Sequence, residues 1–181
     1  DTNRKGGPRS LRSRAISAGA LGDLFHFGSA VPRNAEVAQS YYEENLQLSR
    51  SMGDLSGIIR MTSLLGSLAL ERDEVDVAGQ FYSESLYRAY GRSADDPRML
   101  TNTAFALAGL LNVAAQEKPR NRAQAIERVI SPMNITVDRI VQGGSPSFVI
   151  DALLKALETA QDQQLVDARD RLTKYQSEGS T

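Results

Sequence analysis

The sequence predicts an all-α fold made of stacked helix pairs, about three of them, followed by C-terminal capping helices. Three observations lead there. Helix-forming residues fill nearly all 181 positions, and no alternating Val/Ile/Thr run argues for a strand. Breakers cut the chain into helix-sized pieces. Matched small and large residues also recur along the chain at a near-constant spacing.

The breakers justify each element in order. A first helix is expected over about 11–29, ending before Pro32. A second, about 34–52, ends at Met52-Gly53, where Gly suits the C′ position and Asp54 caps the next helix over about 55–72. A fourth is expected over about 74–91. Asp95-Asp96-Pro97 supplies a cap and a first-turn proline for a fifth, about 97–116. Lys118-Pro119 separates it from a sixth, about 120–141. Gln142-Gly143-Gly144-Ser145-Pro146 is the clearest linker, and the last helical region, about 147–176, should break near 159–164. Beyond that break Leu165, Ala168, Leu172 and Tyr175 share one face. This gives a flexible basic segment over 1–10, a repeat domain over 11–142, a linker turn at 143–146, capping helices over 147–176 and a disordered tail at 177–181.

The repeat is the strongest signal. Gly22, Gly66 and Gly109 recur at 43–44 residues in the odd helices. In the even helices Val37-Ala38-x-x-Tyr41-Tyr42-x-x-x-Leu46 returns 40 residues later as Val77-Ala78-x-x-Phe81-Tyr82-x-x-x-Leu86. A mid-helix Gly costs roughly 1 kcal/mol against Ala, so close approach of a neighbouring helix is expected at each of the three. Ala38 and Ala78 would face such an approach. Tyr41, Tyr42, Phe81 and Tyr82 would fill the layers.

Composition excludes several functions. With 41% hydrophobic and 24% charged residues the chain is no disordered tail. A net charge of −1 argues against a basic nucleic-acid binder. No apolar run approaches the 18 or so residues that span a bilayer. Cys is absent and His26 is the single histidine, so thiol chemistry and histidine-rich metal sites are excluded. The lack of Cys fits a cytoplasmic protein. The chain opens on Asp1 rather than Met, as expected of a piece of a longer protein. Its first 14 residues carry five basic side chains against Asp1, read as a solvated linker.

No catalytic residue, metal ligand or cofactor site is expected. His26 has Asp23 three residues before it, within reach on a helix surface, but no nucleophile elbow accompanies it. It is expected on the surface or in a groove, with a buried, hydrogen-bonded ring as the other reading. Glu71, Asp73, Glu74 and Asp76 lack the spacing of a calcium loop and fit a helix N-terminus. Glu43 and Glu44 are adjacent on a helix and diverge by about 100°. Gly143-Gly144 has neither the strand nor the lysine of a phosphate loop.

The middle unit, with Leu65-Gly66, Ala78, Tyr82 and Ser85, resembles the tetratricopeptide repeat signature. The outer units are spaced more widely, with 16 residues from Gly22 to Ala38 and 14 from Gly109 to Ala123, and Glu127 stands in an aromatic position. The block Tyr42-Glu43-Glu44-x-Leu46-x-Leu48-x-Arg50-x-Met52-Gly53-Asp54-x-x-Gly57-Ile58 and the run Leu107–Gln116 are similar to the repeat region of bacterial LuxR-type signal-transduction ATPase regulators. The resemblance implies a right-handed superhelix that binds a protein, a peptide or other domains of its parent chain, in a regulatory role. It places the first helix of each pair along the concave face. Counted from each Leu-Gly position or its equivalent, the partner-binding residues are then Asp23, His26 and Phe27; Arg60, Ser63, Ser67 and Glu71; and Thr103, Leu110 and Val113. Neither nucleic acid nor membrane is an expected partner. The Leu165–Tyr175 stripe could cap the array or dock on a second copy, which would make the chain a structural, homo-oligomeric scaffold.

Overall fold

The structure, a computed structural model, describes residues 8–28, 30–90, 92, 96–158 and 160–178. Among them it has eight α-helices and no strand: α1 (Pro8–Phe27), α2 (Ala35–Met52), α3 (Leu55–Glu71), α4 (Val75–Tyr90), α5 (Pro97–Gln116), α6 (Pro119–Gly143), α7 (Ser147–Leu157) and α8 (Gln163–Glu178). The fold is all-α. Three boundaries differ from expectation. Gly143 ends α6 instead of opening the linker turn. Residues 8–10 begin α1 rather than belonging to a flexible segment, and 177–178 continue α8. The basic residues Arg4 and Lys5 lie outside the described residues.

Local chemistry sets the helix ends. The Asn34 side chain accepts from the Val37 amide at 3.0 Å, Asp54 from Gly57 at 3.2 Å and Asp96 from Arg98 at 2.8 Å, which satisfies amides that the helices leave open. Gly53 closes α2 at φ 66°, a conformation Gly reaches without strain. Asp73 does the same after α3 at φ 59°, where the amides of Asp73 and Glu74 bond back to Leu70 and Ala69. α6 runs through Pro132 without ending. Proline removes one hydrogen bond there, while buried Val129, Met133 and Val137 hold the helix to the core on both sides.

Each helix packs on the next as far as α6. α7 then turns back onto α5, and α8 onto α6 and α7; α3 also touches α5. The core follows this order as separate clusters. One joins Ala38, Tyr42 and Leu46 of α2 to Ile58, Met61, Leu65 and Leu68 of α3. Another gathers Ala69, Ala78, Tyr82 and Val113. The largest spans α5 to α8. Leu165, Ala168 and Leu172 are buried in it and Tyr175 packs against it, so the stripe expected to cap or to dock is covered within the chain.

The three repeated glycines sit under tyrosine rings. A Cβ on Gly22 would lie 2.4 Å from Tyr42 Cδ1. Tyr82 stands between two helices: a Cβ on Gly66 would come within 3.0 Å of its ring, and one on Gly109 within 2.3 Å. Ala38 and Ala78 are fully buried one turn before each tyrosine. Tyr41 and Phe81 are half-buried, Tyr41 beside Phe25 with ring centroids 6.0 Å apart. The expected close approach is therefore between a helix backbone and an aromatic face.

Gly109→Ala should lower stability by about 1–2 kcal/mol net, because overpacking against a rigid ring outweighs the gain in helix propensity. Gly79→Ala, whose new methyl would meet only Val113 Cγ1 at 3.5 Å, should raise it by about 0.5–1 kcal/mol. Urea unfolding of the two variants against the parent measures both.

Candidate functional site

The polar groups of α1 and α3 converge on the Tyr42 hydroxyl. Gly22 admits the ring, which carries the hydroxyl from α2 to the edge of α1. There it donates to Asp23 Oδ1 at 2.9 Å and contacts His26 Nδ1 at 3.1 Å. The other imidazole nitrogen, Nε2, lies 3.2 Å from Glu71 Oε1 at the end of α3. Arg60 of α3 pairs with Asp23 Oδ2, and Arg33 of the α1–α2 loop with Glu71 Oε2. A continuous chain thus runs Arg60–Asp23–Tyr42–His26–Glu71–Arg33. It ties α1 to α3 across α2.

Donor counting constrains the ring. The hydroxyl proton is directed at Asp23, and His26 Nδ1 lies beside the same oxygen. Glu71 only accepts as a carboxylate, so the ring contact at Nε2 is made by an N–H of the imidazole. His26 is 3% exposed. The expectation of a surface or groove histidine is corrected: the ring is buried, edge-on to Tyr42 and stacked on Phe27 at 4.5 Å between centroids. Asp23 is linked to His26 through the tyrosine hydroxyl.

The two repeated tyrosines feel this environment. Burial, then the bond to Asp23, pushes the Tyr42 hydroxyl well above the usual phenol range. Burial also pushes Tyr82 up to about 12, opposed by the Ser67 hydroxyl and aided by the Glu71 charge.

The ten residues expected along one groove divide. Asp23, Arg60 and Glu71 carry the ion pairs, Phe27 is 64% exposed beside His26, and Ser67 stands at Tyr82. Ser63 is half-buried and bonded to Ser85 at 2.7 Å. Thr103 is fully buried and donates to the Met99 carbonyl at 2.7 Å, so it offers a partner nothing. Val113 is buried against α4, and Leu110 packs into the core beside it. Both face a groove between α4 and α6 rather than the Asp23–Glu71 network. The cause is the position of α5, which α3, α4, α6 and α7 enclose.

Sequence reasoning missed Arg33, the Tyr42 hydroxyl as a junction, and the pair Asn45–Ser49. Asn45 donates to the Ala15 carbonyl at 2.6 Å and accepts from Ser49 at 2.9 Å inside the α1–α2 interface. The 40-residue register held a clue, since it puts Asn45 where Ser85 stands.

Chemically the network is closed. Its carboxylates are paired with arginines, and its hydroxyl is held by a carboxylate and a ring. Among the described residues no three His, Cys, Asp or Glu side chains gather as a metal site would need, and no helix is long and apolar enough to cross a membrane. Asp73, Glu74 and Asp76 are exposed at the start of α4, with Arg72 3.1 Å from Glu74.

The raised Tyr82 hydroxyl sets a pH dependence. The folded chain keeps this proton after the unfolded chain has lost it, so the contribution is whole below pH 10 and lost between 10 and about 12. A shift of that size corresponds to about 3 kcal/mol at most. Tyr82→Phe should roughly halve the alkaline loss of stability across that window, leaving the part that Tyr42 contributes, read from urea midpoints below and within it.

No family model matches this chain, and comparison with curated proteins finds no relative.

Proposed function

We propose that the chain is a non-catalytic, tetratricopeptide-like interaction or signal-sensing module of a larger bacterial regulatory protein. Its partner is a protein, a peptide or another domain, held on the face of α1 and α3. The observation that carries this reading is Phe27, exposed beside a row of ion pairs that cross from one helix to another. An exposed aromatic stacked on a residue of a fixed charge network has the make-up of an interface hot spot. The tyrosine-on-glycine repeat supports the family resemblance, and the mutually satisfied network supports a binding role over a reactive one. The rival scaffold reading has less support, because the stripe that would dock a second copy is covered by α6 and α7.

A peptide-array screen with the intact chain tests the proposal. Binders should lose about tenfold or more affinity for Phe27→Ala, and Arg60→Glu should change which charges the bound peptides carry. Affinity indifferent to both substitutions would place the partner elsewhere. Sedimentation of the parent chain separates the scaffold reading, which requires a species larger than one chain.

A further inference from the structure

A second surface lies on the other side of α5. α4 and α6 both rest on that helix and flank a groove of 930 Å³. Leu110 and Val113 form its floor, Leu86 and Tyr87 one wall, Val129 and Pro132 the other. Tyr87 is 86% exposed, an unusual placement for a large aromatic. The preceding space, between α2 and α4, is only 300 Å³, and Arg50 reaches across it to Glu84 at 3.1 Å. In the 40-residue register Gln47 and Arg50 there become Tyr87 and Tyr90 here. Polar closure is replaced by an aromatic wall.

Charge gives the groove a direction. At one end it opens into a further cavity of 480 Å³ that shares Asp76 and Glu117 and adds Asp73, Lys118 and Glu74, the last paired with Arg72; the groove's own basic residue, Arg128, is on α6. The carboxylates of Asp76 and Glu117, which the two cavities share, favour a cationic group there. Backbone chemistry gives the shape of the occupant. The groove's walls and floor are helices whose amides and carbonyls are already paired, so an extended peptide would find few partners there for its own. A helix brings its backbone bonds with it and packs between two others at the usual spacing. From Asp76 to Tyr90 the groove offers about 20 Å, nearly four helical turns.

We propose that the α4–α6 groove docks an amphipathic helix of a partner protein, with its apolar stripe on Leu110, Val113 and Tyr87 and a Lys/Arg-bearing end at Asp76 and Glu117. This surface is separate from the one around Phe27 and stands or falls independently of it.

A displayed library of helical peptides about 16 residues long, with randomised stripes and ends, tests the proposal on the intact chain. Enriched peptides should carry Leu, Ile or Phe at i, i+3/i+4 and i+7, with Lys or Arg gathered at one end. Tyr87→Asp should weaken them about tenfold or more. Glu117→Lys should weaken basic-ended peptides and spare their neutral-ended versions. Tyr87 is exposed and Glu117 half-buried, and circular dichroism verifies that both variants fold. The proposal is overturned by a library that enriches nothing, by enriched stripes without a basic end, or by affinities that ignore both substitutions. It is overturned equally if Phe27→Ala, and not Tyr87→Asp, abolishes binding. Self-association lost on Tyr87→Asp would make the occupant a second copy and also defeat it.

Discussion

Two tyrosine rings lie flat in spaces that only glycine leaves open, and the arrangement of the first five helices depends on that fit. Tyr42 rests on Gly22, and Tyr82 rests on both Gly66 and Gly109. The second contact matters most, because a single side chain of α4 sets its distance to α3 and to α5 at once. Interiors packed to crystal-like density tolerate little radial error. Three mid-helix glycines, each unfavourable for its own helix, are offset by the aromatic surface they allow to be buried.

The same fit explains the polar face. A tyrosine that lies on glycine projects its hydroxyl past the neighbouring helix, and the group needs a partner there. At Tyr42 the partners are Asp23 and His26, which recruit Arg60 and Glu71 from α3. At Tyr82 the neighbour is Ser67, and the Glu71 charge acts on both tyrosines. Exposed ion pairs contribute little individually. Here they orient one another, and through His26 they adjoin the exposed Phe27 ring. On the far side of α5 the outer helices leave apolar surface uncovered instead, so the two faces differ in chemistry as well as position.

Much of this was legible in the residues. Asp54, Asp96-Pro97 and Gly53 mark helix ends through local bonds, which depend on nothing distant. The glycine and tyrosine positions were legible because stacking repeats them. The groove residues of the third unit were not. Counting from Gly109 treats α5 like α1 and α3, whereas α5 is enclosed by four other helices, and Thr103 and Val113 turn into the core. The nearly unbroken apolar run Ala104–Leu111 was the available sign, since a helix that is apolar around most of its circumference is a buried one. His26 was misplaced because its burial depends on Tyr42 and Glu71, which are 16 and 45 residues away. Arg33 comes from a loop whose path no periodicity describes.

The seating of Tyr82 also restricts how the chain can vary in length. One residue inserted between Gly66 and the end of α3, or between Asp96 and Gly109, would turn the helix by about 100° relative to its cap and carry the glycine out from under the ring. Natural variants should therefore gain or lose residues only in the short connections, as the longer stretch between α1 and α2 already illustrates. Between Tyr42 and Gly109 the helices should behave as fixed-length parts joined by adjustable seams.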